Sequence, residues 1–180
     1  MEKIRFLIPV IIIGMLVLLS FFYYINKKNE EANKIKITTT IGALATILRE
    51  IADNKIEIID LSEGAVHAHE LILSPQKIKK TKESRLIFAI GLNLDDWVEK
   101  IEQEYKIPVY KFEKDVYLLK LDKKHANPHY WLSLRNSKII ATKITSKLIE
   151  VDPKNKIFYQ KNLQNFIEKI FNLEKYVDKF

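Results

Sequence analysis

Leu86-Ile87-Phe88-Ala89-Ile90 is an unbroken apolar run of strand length, closed by Gly91. A strand with no polar residue to turn toward water must be covered on both faces, and parallel sheets bury their strands in that way. The segments around this run alternate in type. Lys34-Ile35-Lys36-Ile37-Thr38-Thr39 is β-branched and alternating, as a strand is. Thr40 is placed to cap a helix in which Ala43, Leu44, Ile47, Leu48 and Ile51 recur at helical spacing. Lys55 to Leu61 reads as a second strand, and Ser74-Pro75 opens a basic helix to about Lys82. Leu94 to Tyr105 predicts an amphipathic helix with Trp97 and Ile101. Ile107 to Phe112 and Val116 to Leu121 predict short strands, and Asn136 to Ile149 a further helix. Asp152-Pro153 has a cap-then-proline signature, and the helix it opens runs almost to Phe180, about 40 Å at 1.5 Å per residue. The pattern predicts an α/β layered domain, a mainly parallel sheet flanked by helices and followed by a long C-terminal helix.

The 180 residues are 47% hydrophobic and 29% charged, enough apolar material for a packed core. The formal net charge of +7 invites a nucleic-acid reading, but no basic run exceeds a Lys-Lys pair and no aromatic-basic interleave falls on one face. A solvated lysine-rich surface is the better account, with no nucleic acid expected. The chain has no cysteine, which rules out disulfides, thiolate metal sites and cysteine nucleophiles.

Phe6 to Ile25 is an uncharged run of about twenty residues, the length a helix needs to cross a hydrocarbon core of roughly 30 Å. Its end, Ser20-Phe21-Phe22-Tyr23-Tyr24, is too bulky for a signal-peptidase site, and a lipoprotein site needs a cysteine. Residues 1–29 are therefore expected to be an uncleaved N-terminal transmembrane anchor. Residues 30–152 would form the α/β lobe and residues 153–180 a long helix. Lys3 and Arg5 before the run balance Lys27 and Lys28 after it, so flanking charge leaves its orientation open.

Two histidines stand out. His129 follows Pro128 and precedes Trp131 by two residues, a setting that fixes and orients an imidazole. His69 lies in the loop after the second strand. Ligand sites in open α/β sheets form beyond the carboxyl ends of the strands, so both loops can meet there and the two rings can supply half of a metal site. The plainer account is a pair of loop histidines bonded to backbone. His67 and His125, in the same two loops, are candidate additional ligands or solvent-exposed histidines. Catalysis is not expected: His69-Glu70 lacks the second histidine of a zinc-protease helix, Leu73 standing at that position. No phosphate loop, nucleophile elbow or carboxylate pair appears.

In order along the chain, Ile35 to Ala45, Gly64-Ala65 and His69, Ser74-Pro75-Gln76-Lys77-Ile78, Gly91-Leu92-Asn93-Leu94-Asp95-Asp96-Trp97, and Asn127-Pro128-His129-Tyr130-Trp131-Leu132 with Asn136 resemble the N-terminal lobe of the periplasmic proteins that feed zinc or manganese to ABC importers. The resemblance covers roughly residues 34 to 175. It implies two α/β lobes joined by one long helix, with the metal in the cleft between them. It also implies that His69 and His129 are the two first-lobe ligands and that Pro153 to Phe180 begins the connecting helix. The family pattern favours Asp before Pro-His and Asp-Pro after Trp-Leu, where this chain has Asn127 and Ser133-Leu134.

The resulting expectation is an extracytoplasmic protein that binds divalent metal, Zn2+ first and Mn2+ as the alternative. The second lobe, absent from these residues, would come from another chain or a homodimer partner, and an ABC permease is a candidate partner. A second expectation is a membrane-anchored interaction module that has lost its metal and docks a partner through Phe166, Ile170 and Phe171. A third is half of a split protein.

Overall fold

The computed structural model describes residues 14–28, 33–62, 74–122 and 125–179. The chain divides into two compact units, Met1–Lys34 and Ile35–Phe180. In the first, residues 14–28 form helix α1, about 22 Å long at 1.5 Å per residue. Among the described residues no helix is long and apolar enough to cross a membrane. The expected span from Phe6 to Ile25 begins in residues outside those described.

The second unit is a four-stranded parallel sheet: β1 Ile35–Thr39, β2 Ile56–Asp60, β3 Leu86–Ala89 and β4 Val109–Lys111, in spatial order β2-β1-β3-β4. The helices are α2 Gly42–Ala52, α3 Pro75–Thr81, α4 Val98–Tyr105, α5 Leu134–Val151 and α6 Lys156–Val177. The central strand β3 is buried along its whole length. Leu86 and Phe88 point into the main core with Leu44, Leu48, Ile140, Ile144 and Leu148. Ile87 and Ala89 point to the opposite face and a smaller core with Val98, Ile101 and Ile107. That two-sided burial is why the run could carry no polar residue.

Helix α6 is part of this packing, since it lies against α2 and α5 and buries Tyr159 and Phe166 in the main core. Its start is set by side chains: the Asp152 carboxylate accepts from Tyr159 Oη at 2.5 Å and Asn155 Nδ2 at 2.7 Å. A short 3-10 turn, Pro153–Asn155, precedes the helix, so α6 starts at Lys156 and not at Pro153, and Asp152 makes no side-chain cap bond because its carboxylate is taken by Tyr159 and Asn155.

Three local expectations differ. Thr40 does not cap α2, whose N-cap is Ile41 with no side-chain bond; its hydroxyl is drawn instead to Asp95. Helix α4 starts at Val98, not Leu94: the turn of Gly91, Leu92 and Asn93, all at positive φ, runs into residues 94–97, where the Asp95 side chain is tied back to Ile90 N and Gly91 N. Among the described residues Val116–Leu121 joins no strand of the sheet; its end makes only an isolated antiparallel bridge, Lys120 with Ala126. Val116 and Leu118 do pack on the core while Tyr117, Leu119 and Leu121 are exposed, so the alternation is real. At Tyr117 the partner that a ladder would provide is a side chain: Asn136 Oδ1 accepts from Tyr117 N at 2.9 Å and Asn136 Nδ2 donates to Tyr117 O at 2.8 Å.

Candidate metal centre

The carboxyl edge of the sheet is organised around β3. Asp95 is buried, and its two oxygens accept from Ile90 N at 2.7 Å, Gly91 N at 2.7 Å and Thr40 Oγ1 at 2.5 Å. Burial pushes this carboxyl above the usual range, opposed by those three donors and by the charge of Lys111. Gly91 sits at φ 83 with the Glu113 carboxylate against it, where an added Cβ would collide with Glu113 Oε2. Glycine is the residue that fits such a site. Glu113 accepts from Leu92 N at 2.7 Å, which closes the turn from the β4 side.

Tyr130 carries this order to the histidine loop. Its hydroxyl donates to Ile90 O at 2.7 Å, and burial keeps the phenol protonated. The 3-10 turn Tyr130–Leu132 is thereby fixed beside the end of β3. Asn136 Nδ2 donates to Tyr130 O at 3.0 Å, and Ser133 caps α5 by accepting from Asn136 N.

His129 stands at the head of that turn and is exposed. Asn127 Oδ1 accepts from His129 N at 2.8 Å and lies 3.0 Å from His129 Nδ1. A backbone N–H can only donate, so that amide atom is an oxygen, and Nδ1 must carry the proton it shares with it. In a neutral ring held this way the lone pair is on Nε2, the arrangement in which an imidazole ligates zinc, copper or nickel. The Trp131 ring packs at 5.1 Å and 51° to the imidazole. The sequence expectation of a held and oriented imidazole is met, although the Asn127 amide does the holding.

The other histidines are placed differently. His125 is exposed, and Asp122 takes both its Nδ1, at 2.8 Å, and its backbone N–H, at 2.8 Å. It belongs to a small loop closed by Leu121 N to His125 O and Asn127 N to Leu119 O. His67 and His69 lie outside the described residues. The described chain on either side of them is anchored at the carboxyl end of β2. Ser62 donates to Asp60 Oδ1 through its backbone and its hydroxyl, and Lys77 Nζ, on α3, reaches Leu61 O at 2.6 Å. Among the described residues no group of three or more His, Asp or Glu side chains is arranged to hold a metal.

Of the residues expected to meet a partner, Phe166 is buried, Ile170 packs partly against the main core and Phe171 is exposed. Helix α6 turns Phe166 inward because it covers α2 and α5. The apolar residues it exposes are Ile157, Ile167, Phe171, Leu173, Tyr176 and Val177. Asp95, Tyr130 and Asn136 carry the edge, and the sequence reading assigned them no role. The signal available was that each falls inside a stretch quoted for the resemblance.

The chain is 33% identical over 175 residues to the metal ABC transporter substrate-binding lipoprotein SsaB of Streptococcus sanguinis, covering 89% of this chain and 57% of that protein. It is 33% identical over 161 residues to the manganese ABC transporter substrate-binding lipoprotein PsaA of Streptococcus anginosus, covering 83% and 52%. The fold superposes on the crystal structure of a zinc-bound ZnuA deletion mutant with a TM-score of 0.75 and 25% identity, over 82% of this chain and 58% of that one. The chain therefore spans a little over half the length of the relatives it matches. A profile of the family described as zinc-uptake complex component A, periplasmic (ZnuA), matches residues 37–179, and the chain belongs to that family of metal ABC transporter substrate-binding proteins.

Proposed function

We propose that this chain supplies one lobe of an extracytoplasmic metal-binding component of an ABC importer, with His69 and His129 as its ligands. The observation that carries the reading is His129 itself: a ring on a turn tied to the end of β3, with Nδ1 engaged by Asn127. His69 follows β2, the strand two places away in the same parallel sheet, and ligands in such sheets gather beyond the carboxyl ends. Zn2+ is the favoured ion because both proposed donors are imidazoles. A solved relative holds zinc, and Mn2+ is the alternative because another relative is named a manganese protein.

Zinc is usually held by four ligands, so the two histidines need further donors from a facing lobe in the same or another polypeptide. His67 and His125 are weaker candidates for those places, His125 because Asp122 already engages it. An ABC permease is the proposed partner, and the role is to bind and deliver rather than to catalyse. The streptococcal relatives are named lipoproteins. Phe6 to Ile25 offers the apolar length of a membrane anchor.

A calorimetric Zn2+ titration of the chain tests the ligand set. Binding is expected to vanish in the His69→Ala, His129→Ala double variant; an unchanged affinity there would sink the assignment. The exposed apolar residues of α6 favour a second reading, in which the lobe acts as an interaction module. A chain indifferent to metal that captures a partner, and loses it in Phe171→Asp, would favour that reading.

A further inference from the structure

We infer that Asn127 is a positioning residue that locks His129 in the Nδ1–H tautomer and so presents Nε2 to an incoming metal ion; the metal part rests on the function proposed above. Three observations converge. One Asn127 oxygen receives both the backbone N–H and the Nδ1 of His129. The double attachment defines the amide orientation as well as the ring position, since only an oxygen can accept from the backbone donor. Pro128 lies between the two residues, and a fixed φ there limits how far the amide and the ring can separate. The Trp131 ring at 5.1 Å restricts rotation of the imidazole from another direction.

The second end of the clamp is also built. Asn127 N donates to Leu119 O at 2.8 Å, so the residue that orients His129 is itself fixed to the preceding segment. Tyr130, immediately after His129, is bonded to Ile90 O. The imidazole is held between two backbone anchors, and Asn127 decides which nitrogen bears the proton. A neutral amide performs this task as a carboxylate would, because the task requires an acceptor and not a charge. Asn in place of the Asp favoured by the family pattern thus keeps the tautomer.

The test is 15N NMR of histidine-labelled full chain, with the His129 signals identified from a His129→Gln variant. Wild-type His129 is expected to show a protonated Nδ1 and an unprotonated Nε2. Asn127→Leu, which removes the acceptor, is expected to shift the ring toward the Nε2–H tautomer and to weaken Zn2+ binding about 10–100-fold, the usual effect of losing the partner of a ligating histidine. Asn127→Asp is expected to keep the wild-type tautomer. An Nε2–H ring in the wild type, or an unchanged tautomer in folded Asn127→Leu, overturns the inference. Should Asn127→Leu fail to fold, the wild-type tautomer alone decides. If the tautomer pattern holds and Zn2+ does not bind the wild type, the lock stands and the metal reading falls.

Discussion

The turn that carries Asp95 and the turn that carries His129 meet at the end of β3 and are built in opposite ways. Asp95 is 2% exposed, and every donor around it belongs to the scaffold: two backbone amides and the Thr40 hydroxyl. His129 is exposed, and one neighbouring side chain engages it through Nδ1. A buried polar group with all its partners inside the fold is a fastener. An exposed ring whose orientation is nonetheless fixed is suited to meeting something that arrives from outside. The two residues are linked through Ile90, whose N–H goes to Asp95 and whose carbonyl goes to Tyr130. The fastener therefore sets where the presented ring stands.

If that division is right, stability and metal binding should separate by residue. Asp95→Leu should have the largest effect on folding, about 3–5 kcal/mol, because it leaves two buried N–H groups and a hydroxyl unsatisfied. Urea denaturation followed by circular dichroism measures it, and a loss below about 1 kcal/mol would remove Asp95 from the scaffold. Asn136→Leu should follow at about 2–4 kcal/mol, since it orphans Tyr117 N and Tyr117 O and leaves Tyr130 O with Ser133 N as its remaining donor. The exposed part of the Tyr117 segment recovers water, which keeps the loss below that of Asp95.

The dependence on pH sharpens the contrast within the scaffold. Burial raises Asp95 above its ordinary 3.8. Its titration therefore favours the fold most fully below that value, and the contribution is lost as pH rises through the folded-state value. Asp115 shifts the other way. Burial pushes it up, but hydrogen bonds from Lys143 and Tyr110 and the charges of Lys143 and Lys147 outweigh that and lower it below 3.8. Its contribution is present above 3.8 and is lost as pH falls through the lowered value. Lys143→Met should flatten that acid-side loss by under about 1 kcal/mol, because Lys143 is partly exposed and solvent screens the pair. Denaturation midpoints between pH 2 and pH 5 compare the variant with the wild type; identical acid slopes would contradict the assignment. His129→Ala should change stability least, by under about 0.5 kcal/mol, while abolishing its share of Zn2+ binding. A large loss of stability in His129→Ala would mean that the ring serves the scaffold after all.

Much of the fold was legible because hydrophobic period is a local property. β1, β2, β3 and β4 fall within the stretches whose pattern predicted strands, and β3 announced a sheet covered on both sides. Errors gathered where a side chain replaced a backbone partner. Val116–Leu121 has the alternation of a strand, yet at Tyr117 Asn136 supplies the hydrogen bonds that a neighbouring strand would supply. Thr40 has the identity of a cap, yet a carboxylate distant in sequence claims its hydroxyl. At the candidate site, Pro128 before His129 and Trp131 after it indicated a held imidazole. That Asn127 does the holding depends on a rotamer, which no spacing rule gives. The apolar face of α6 was visible too, but which of its residues turn inward was not: Phe166 meets α2 and α5, and Phe171 faces out.

The sequence by itself determined the order of strands and helices, a parallel sheet and the family, because alternation, helical spacing and ordered motifs are written along the chain. Tertiary structure alone decided which polar side chains fasten the carboxyl edge and which nitrogen of His129 carries the proton. Those outcomes rest on hydrogen bonds between residues brought together by folding, such as Thr40 with Asp95 and Tyr130 with Ile90, whose geometry does not exist until the sheet has formed.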